Sequence, residues 1–383
     1  NTTGASNVAV GFQALNSNTT ASNNVAVGED ALKDTTTGCQ NIAMGRNALE
    51  DNSTGDLNVA LGYNALKTNT TADNNVAVGA NALLDNTTGF RNVSIGHSAL
   101  ANNTTAGNSQ AIGYNALGTN TTGCQNTAMG SQALNTNTTG SNNIALGISS
   151  LYNNTEGSNN IAIGCAALIS NTTANNNTAV GFRALCANTT GTANVALGYQ
   201  ANKNTTTGTC NIAIGNDSRR DGTTGDNNVA IGFQSLRESE GADNNTAVGH
   251  ETLKANTTGN LNQAFGAFSL QANTEGVRNT AIGSYAMYDN TTGDYNVAVG
   301  QSALYNNETA DNNTAVGYVA LNANTTGAKN VAMGHQSLMF NTTGSCNTAI
   351  GQNTLYCNTT ASYNTAVGRS ALQLNTTGAN NTA

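Results

Sequence analysis

The stretch NVAVGFQALNSNTTASN at residues 7–23 recurs along the whole chain, and its period decides the fold. Glycine occupies every seventeenth position from Gly11 to Gly368 without a slip, which defines 22 repeats. We number the unit from position 1 at Asn7 to position 17 at Asn23, with the consensus N-[VIT]-A-[VIM]-G-x-x-A-L-x-x-N-T-T-[GA]-x-x. Because a fixed short period is typical of stacked repeats, residues 1–383 are predicted to form a single continuous array, a segment of a longer fibre.

The residue types in the unit favour strands over helices. Gly, Asn and Thr fill it, and the apolar positions 2, 4 and 9 lack helical spacing. Positions 1 to 5 alternate like a strand, and positions 6 to 9 predict a second short strand. The N-T-T-G run predicts a turn in which glycine supplies backbone angles that other residues avoid. The predicted fold class is all-β: a parallel β-solenoid (β-roll or β-helix) with one coil per 17 residues and about 22 coils.

In-register stacking places identical side chains above one another, which suits asparagine. Asn fills position 1 in 22 of 23 occurrences and position 12 in 19 of 23. Its amide can donate to one neighbour and accept from the other, so both positions predict Asn ladders.

The constant alanine at position 3 is the basis for predicting self-association. If the Val and Ile side chains at positions 2 and 4 face the interior, alanine faces outward, because successive strand residues point to opposite sides. Position 3 is Ala in 22 of 23 occurrences. A constant small outward residue indicates close approach of another surface, either a partner chain or another wall of the same coil. We therefore expect self-association, as a homo-oligomer or a fibre.

Charge and composition argue against several classes of function. The net charge is -8 and only 9% of residues are charged, which predicts no binding to nucleic acid. No stretch approaches 18 consecutive apolar residues, which predicts no membrane insertion in this segment. No cysteine spacing suits a metal site, and no catalytic constellation is visible. The chain is expected to be neither an enzyme nor a cofactor-binding protein.

The segments NVAVG at residues 7–11, AL at residues 14–15 and NTT at residues 18–20 carry a resemblance. They resemble the N-T-A-V-G-x-x-A-L repeats of bacterial and phage tail-fibre-like proteins, and the head repeats of trimeric autotransporter adhesins. The resemblance implies a parallel β-roll or solenoid, often trimeric, displayed outside a cell or virion. We accordingly expect an extracellular structural fibre or fibre shaft at a cell or virion surface. The alternative is an adhesin-type module that binds surface glycans or another surface.

Asn-x-Thr/Ser sequons recur at position 12 and are candidate glycosylation sites, which would make the chain a glycoprotein. The alternative is that duplication copied a good turn sequence, since Asn and Thr suit turns and ladders. The candidates are Asn1, Asn18, Asn52, Asn69, Asn86, Asn103, Asn120, Asn137, Asn171, Asn188, Asn256, Asn290, Asn307, Asn324, Asn341, Asn358 and Asn375.

Two other arrays have a functional interpretation. Threonines at positions 13 and 14 invite an ice-binding hypothesis, but adjacent residues of an extended chain point to opposite sides. Aspartates at position 16 stack in adjacent coils, where a cation could lie between the carboxylates. Solvent-screened surface charges are the alternative. The cation candidates are Asp56 with Asp73, Asp226 with Asp243, and Asp294 with Asp311.

The repeat is most disturbed between Asn202 and Gly241, where leucine and asparagine are lost from positions 9 and 12 and charge accumulates. A functional patch and neutral drift both explain this stretch. The candidate residues of the patch are Asp217, Arg219, Arg220, Asp221, Glu238 and Glu240.

Overall fold

The computed structural model describes residues 1–383, and all of its regular secondary structure consists of three-residue strands. The chain forms two compact units, Asn1–Ala193 and Asn194–Ala383. Each unit is a parallel β-solenoid that contributes one strand per 17-residue coil. The predicted all-β class and coil length are confirmed. No helix long and apolar enough to cross a bilayer is present.

Eleven strands build the first unit: β1 (Val8–Val10), β2 (Val25–Val27), β3 (Ile42–Met44), β4 (Val59–Leu61), β5 (Val76–Val78), β6 (Val93–Ile95), β7 (Gln110–Ile112), β8 (Thr127–Met129), β9 (Ile144–Leu146), β10 (Ile161–Ile163) and β11 (Thr178–Val180). Eleven more build the second unit: β12 (Val195–Leu197), β13 (Ile212–Ile214), β14 (Val229–Ile231), β15 (Thr246–Val248), β16 (Gln263–Phe265), β17 (Thr280–Ile282), β18 (Val297–Val299), β19 (Thr314–Val316), β20 (Val331–Met333), β21 (Thr348–Ile350) and β22 (Thr365–Val367).

Within each unit, every strand pairs in parallel and in register with its equivalent 17 residues away. Ala128 of β8 lies opposite Ala145 of β9, for example. Hydrogen bonds between coils continue outside the strands, as where the Leu134 N–H donates to the Ser150 carbonyl at 2.9 Å. The neighbouring coils therefore satisfy most of the backbone polar groups that a narrow coil would otherwise leave unpaired.

The predicted direction of the strand side chains is wrong. The position 3 alanines are fully buried from Ala26 to Ala366, while the residues on either side of them stay half-buried or exposed. Alanine lines the interior, where it packs with the position 9 leucines and the position 8 alanines of the turn segment. A coil of 17 residues leaves little space between its walls, and leucine from one wall fills it. Only a methyl group fits opposite.

The predicted second strand at positions 6 to 9 is also wrong, because the chain makes tight turns there. In the coil that holds β7, the N–H groups of Ala116, Gly118 and Asn120 each donate to the carbonyl three residues earlier. Positive φ angles occur at Asn115 (53°) and Leu117 (51°), and the same two positions are left-handed in the other coils. These overlapping turns reverse the chain without a second sheet.

The unusual backbone angles of glycine lie at position 5 and not in the N-T-T-G run. All 22 glycines at position 5 have φ between 124° and 143°, whereas no glycine at position 15 has a positive φ. Seven coils carry alanine at position 15, for example Ala72 and Ala106. The repeating glycine at position 5 therefore marks the sharp corner that follows each strand.

The two predicted Asn ladders are confirmed. At position 12, the Nδ2 atom of Asn137 donates to Oδ1 of Asn120 at 2.7 Å and to the Gly140 carbonyl at 2.9 Å. At position 1, Oδ1 of Asn126 accepts from the backbone N–H of Asn143 at 2.9 Å. Both rows are buried. The ladders satisfy the backbone at the corners of each coil, where strand pairing ends.

Candidate binding surfaces

The outward rows at positions 2 and 4 form one continuous surface in each unit, which we name the strand face. It comprises the first and third residues of β1–β11 in the first unit and of β12–β22 in the second. Met44 is 45% exposed, Ile163 37% and Leu197 46%. No coil carries a charged residue at either position. Soluble chains rarely leave large contiguous apolar surfaces open, so this face is the main candidate for an interaction.

The sequence contains a signal for the strand face that periodicity alone misses. Position 2 tolerates Val, Ile, Thr and Gln, and position 4 tolerates Val, Leu, Ile, Met and Phe. Position 3 accepts only Ala and Ser. A packed interior restricts side-chain volume more than an outer surface does, so the constant alanine marks the interior.

Most of the candidate glycosylation sites are buried. Of the 17 asparagines, Asn1 and Asn375 lie at the ends of the chain and the other 15 are at most 3% exposed. The Nδ2 atom that would carry a sugar instead donates hydrogen bonds, as Asn120 does to Asn103 and to the Gly123 carbonyl. A glycan at such a position would remove a ladder donor and has no space in the coil. The folded chain does not present these 15 sequons to a glycosyltransferase.

The threonines at positions 13 and 14 do not form a two-row hydroxyl surface. The Thr121 hydroxyl at position 13 donates to the Thr138 carbonyl of the next coil at 3.0 Å. Its neighbour Thr122 at position 14 is exposed. The hydroxyl groups of one row are thus used inside the stack, and a single exposed row remains for the ice-binding hypothesis.

The stacked aspartates at position 16 satisfy backbone donors. Within the three predicted pairs, the N–H of Asp56, Asp226 and Asp294 each donates to a carboxylate oxygen one coil later at 2.7 Å. The accepting carboxylates belong to Asp73, Asp243 and Asp311. No group of three His, Cys, Asp or Glu side chains could hold a metal ion. The structure brings each pair together but supplies no ring of acidic ligands around it.

The irregular patch divides into a buried residue and a surface network. Arg220 pairs with Asp221 at 2.9 Å and with Asp217 at 3.8 Å, and Arg237 approaches Asp221 at 3.5 Å. These groups lie on the outside of the coil. The hydrogen bond to Asp221 raises the pKa of Arg220, and the nearby Glu238 carboxylate adds a smaller contribution in the same direction. At Glu240, the backbone carbonyl accepts from the Thr223 hydroxyl. The network is an ordinary set of half-exposed ion pairs.

Arg219 instead points into the core at the leucine position, where it is fully buried. Its guanidinium donates to Asn202 Oδ1 at 2.8 Å, to Thr205 Oγ1 at 2.7 Å and to the Gly225 carbonyl at 2.8 Å. Burial lowers the pKa of Arg219 to about 10, against the opposing fields of nearby aspartates, so it remains cationic at neutral pH. A Cβ at Gly222 would lie 2.8 Å from the guanidinium carbon. The substitutions at positions 9 and 12 are therefore complementary, because Gly222 makes room for the cation that replaces the missing ladder amide.

Aromatic side chains stack on one another along the turn segments. The longest run continues through six rings of the second unit with centroid separations of 5.0–5.6 Å: Phe233, His250, Phe268, Tyr285, Tyr288 and Tyr305. Burial and the neighbouring Asp289 carboxylate raise the pKa of Tyr305. His97 and His335 stack on Tyr114 and Tyr318 in other coils.

Comparison with protein-family models and with curated protein sequences yields no match for this chain.

Proposed function

We propose that the chain is a structural repeat array that assembles side by side with further copies of itself through the strand face, as an extracellular fibre or fibre shaft. The observation that carries the proposal is the strand face, which is uncharged, apolar throughout at position 4 and runs over eleven strands in each unit. Depletion of charge is typical of the buried centre of a protein interface. The sequence resemblance supports an extracellular location at a cell or virion surface.

A second copy of this chain is the occupant that suits the strand face best. The face repeats every coil in register, as in the pairing of Ile161 with Ile144. A partner of the same period can pack row against row along the whole length of a unit, whereas an irregular surface matches only a few coils. The exposed rows on a copy are also uncharged, so neither side brings an unpaired charge into the interface.

The size of the face suits a specific interface. Eleven strands spaced by about 4.8 Å make each unit's face roughly 50 Å long, and three-residue strands make it about 10 Å wide. Two copies would cover on the order of 1,000 Å² per unit, which reaches the lower limit for specific protein interfaces. Contact through the strand face replaces the expectation that the position 3 alanines approach a partner, because the alanine side chains are inside the coil.

Lysines on the strand face are expected to dissociate the assembly without unfolding the chain. We expect the wild-type protein to sediment as an oligomer at about 10 µM, because burial of apolar surface drives association. The triple variant Ile95→Lys, Met129→Lys, Ile163→Lys should sediment as a monomer with an unchanged circular dichroism spectrum. All three side chains are at least 37% exposed, so the isolated coil tolerates the charge.

The matched control places three lysines on the exposed position 14 row as Thr88→Lys, Thr122→Lys and Thr139→Lys, which adds the same charge away from the strand face. This variant should remain assembled. A wild-type chain that is monomeric at about 100 µM would contradict the proposal, as would a strand-face variant that stays assembled.

The proposed structural role has two alternatives, adhesion to surface glycans and ice binding. A purely structural role includes no catalytic activity and no cofactor. Adhesion to surface glycans is the alternative that a specific observation favours, namely a polar depression on the first unit. Ice binding has weaker support, because the Thr121 and Thr138 hydroxyls of position 13 are bonded within the stack.

A further inference from the structure

A shallow depression of about 270 Å³ opens on the first unit around position 10 of three successive coils. Position 10 is Ala101 and Gly118 in the first two of these coils and Asn135 in the third, while every coil other than the first two carries cysteine or a larger residue there. Gly118 has no positive φ, so the backbone does not require glycine at this point. The missing side chains therefore create the depression, and the fold does not demand it.

The lining of the depression is polar and uncharged. Ser98, Asn102 and Thr119 contribute hydroxyl and amide groups, and Asn135 forms part of the wall. The Asn135 Nδ2 atom donates to the Asn115 carbonyl at 2.7 Å, and the Thr119 hydroxyl donates to the Asn135 carbonyl at 2.7 Å. These two bonds hold the wall in one arrangement before any ligand arrives.

One amide in the lining loses the partner that its row normally supplies. Among the earlier coils, position 7 amides bond to each other, as Asn64 Nδ2 does to Asn81 Oδ1 at 3.2 Å. The next coil has Ser98, whose hydroxyl lies 3.0 Å from Nδ1 of His97. The row of amides therefore stops before Asn115, whose side chain makes no hydrogen bond within the protein.

Asn102 lies across the depression with a second amide that has no partner in the protein. A primary amide offers two donors and one acceptor, which can bond to neighbouring hydroxyl groups in both directions. No charged side chain is present that would recognise an anion or a cation.

We propose that this depression, formed by Ala101, Gly118 and the amides of Asn102 and Asn115, binds a single neutral sugar unit of a glycan. Its volume lies just below the usual range of small-molecule pockets, which suits one pyranose ring and millimolar affinity. The depression lies at positions 7, 10 and 11, away from the strand face. The inference is thus independent of the proposed assembly, and either can fail alone.

The test measures binding of glucose, galactose, mannose and N-acetylglucosamine by saturation-transfer NMR on the intact chain. At least one of these sugars should give a saturable signal with a Kd in the millimolar range. The variant Gly118→Gln fills the depression with a residue that the second unit carries at the same position as Gln271. We expect at least a tenfold loss of affinity in it.

Two further variants make the test specific. Asn322→Gln changes the same position in another coil and should bind as the wild type does. Asn115→Ala removes the unpartnered amide without filling the depression, and it should also weaken binding about tenfold. The absence of a saturable signal from all four sugars at about 50 mM would overturn the proposal, and so would binding that survives Gly118→Gln.

Discussion

Replacing Gly130 with alanine is expected to destabilise the first unit by about 3–5 kcal/mol. Gly130 has φ of 138°, and a Cβ there would lie 2.6 Å from the Gly147 carbonyl oxygen of the next coil. Forcing a non-glycine residue into such a region costs about 1–3 kcal/mol, and overpacking against a backbone atom adds about 1–3 kcal/mol. Urea unfolding followed by circular dichroism measures the loss.

The matched control is Gly118→Ala in the preceding coil. That glycine has no positive φ, and the nearest atom to its Cβ would be the side-chain nitrogen of Asn135 at 3.0 Å rather than a backbone atom. We expect a loss of only about 1 kcal/mol, because the added methyl group requires no strained φ and meets a side-chain atom first, which can shift more than a backbone carbonyl can. Equal losses in the two variants would show that the position 5 corner is not specially constrained.

The second large effect is expected from a charge placed on the inner side of a strand. Ala264→Glu in β16 would put a carboxylate beside the buried Leu270, where no cationic partner lies within the cluster. Burial of an unpaired charge, together with overpacking, should cost more than about 4 kcal/mol. The neighbouring variant Gln263→Glu adds the same side chain on the exposed side of β16 and should change stability by less than about 1 kcal/mol.

The comparison of Ala264→Glu with Gln263→Glu in urea separates the two possible orientations of the strand. If the alanines faced outward, the order of the two losses would be reversed.

The period and the side-chain ladders could be predicted from the sequence because both depend on local rules. An unbroken glycine register excludes insertions, and a row of identical asparagines can hydrogen-bond only if the coils stack in register. Asn137 and its equivalents fulfil that prediction with amide-to-amide bonds. The same rows bury 15 of the 17 sequon asparagines, since the feature that repeats them also stacks them inside the coil.

The direction of the strand could not be predicted from alternation alone, because alternation is the same for both orientations. Preference for burial of Val and Ile over Ala favours the wrong one. The width of the coil determines which side of the strand faces inward, since leucines such as Leu134 already fill the space opposite Ala128. Width depends on the turns, and these contain left-handed residues such as Leu117, which propensity alone disfavours.

The buried Arg219 illustrates a prediction that needs two positions at once. Arginine at position 9 alone indicates a defect, and glycine at position 12 alone indicates drift. Together, Arg219 and Gly222 exchange a leucine and a ladder asparagine for a guanidinium with room to reach Asn202 and Thr205. The chemistry of the disturbed stretch is therefore internal, and its surface charges form ordinary ion pairs.

Methionine oxidation by hydrogen peroxide, read by peptide mass spectrometry across a dilution series, tests the central claim most directly. Met44, Met129 and Met333 lie on the strand face, whereas Met287 lies at the fully buried leucine position. In dilute protein, the three strand-face methionines should oxidise fast and Met287 last. With rising protein concentration, the strand-face methionines should become protected, because second copies cover them. Met339 at the half-buried position 10 should keep the same oxidation rate. Strand-face methionines whose oxidation rate stays the same at every concentration, or a Met287 that reacts as fast as they do, would contradict the account.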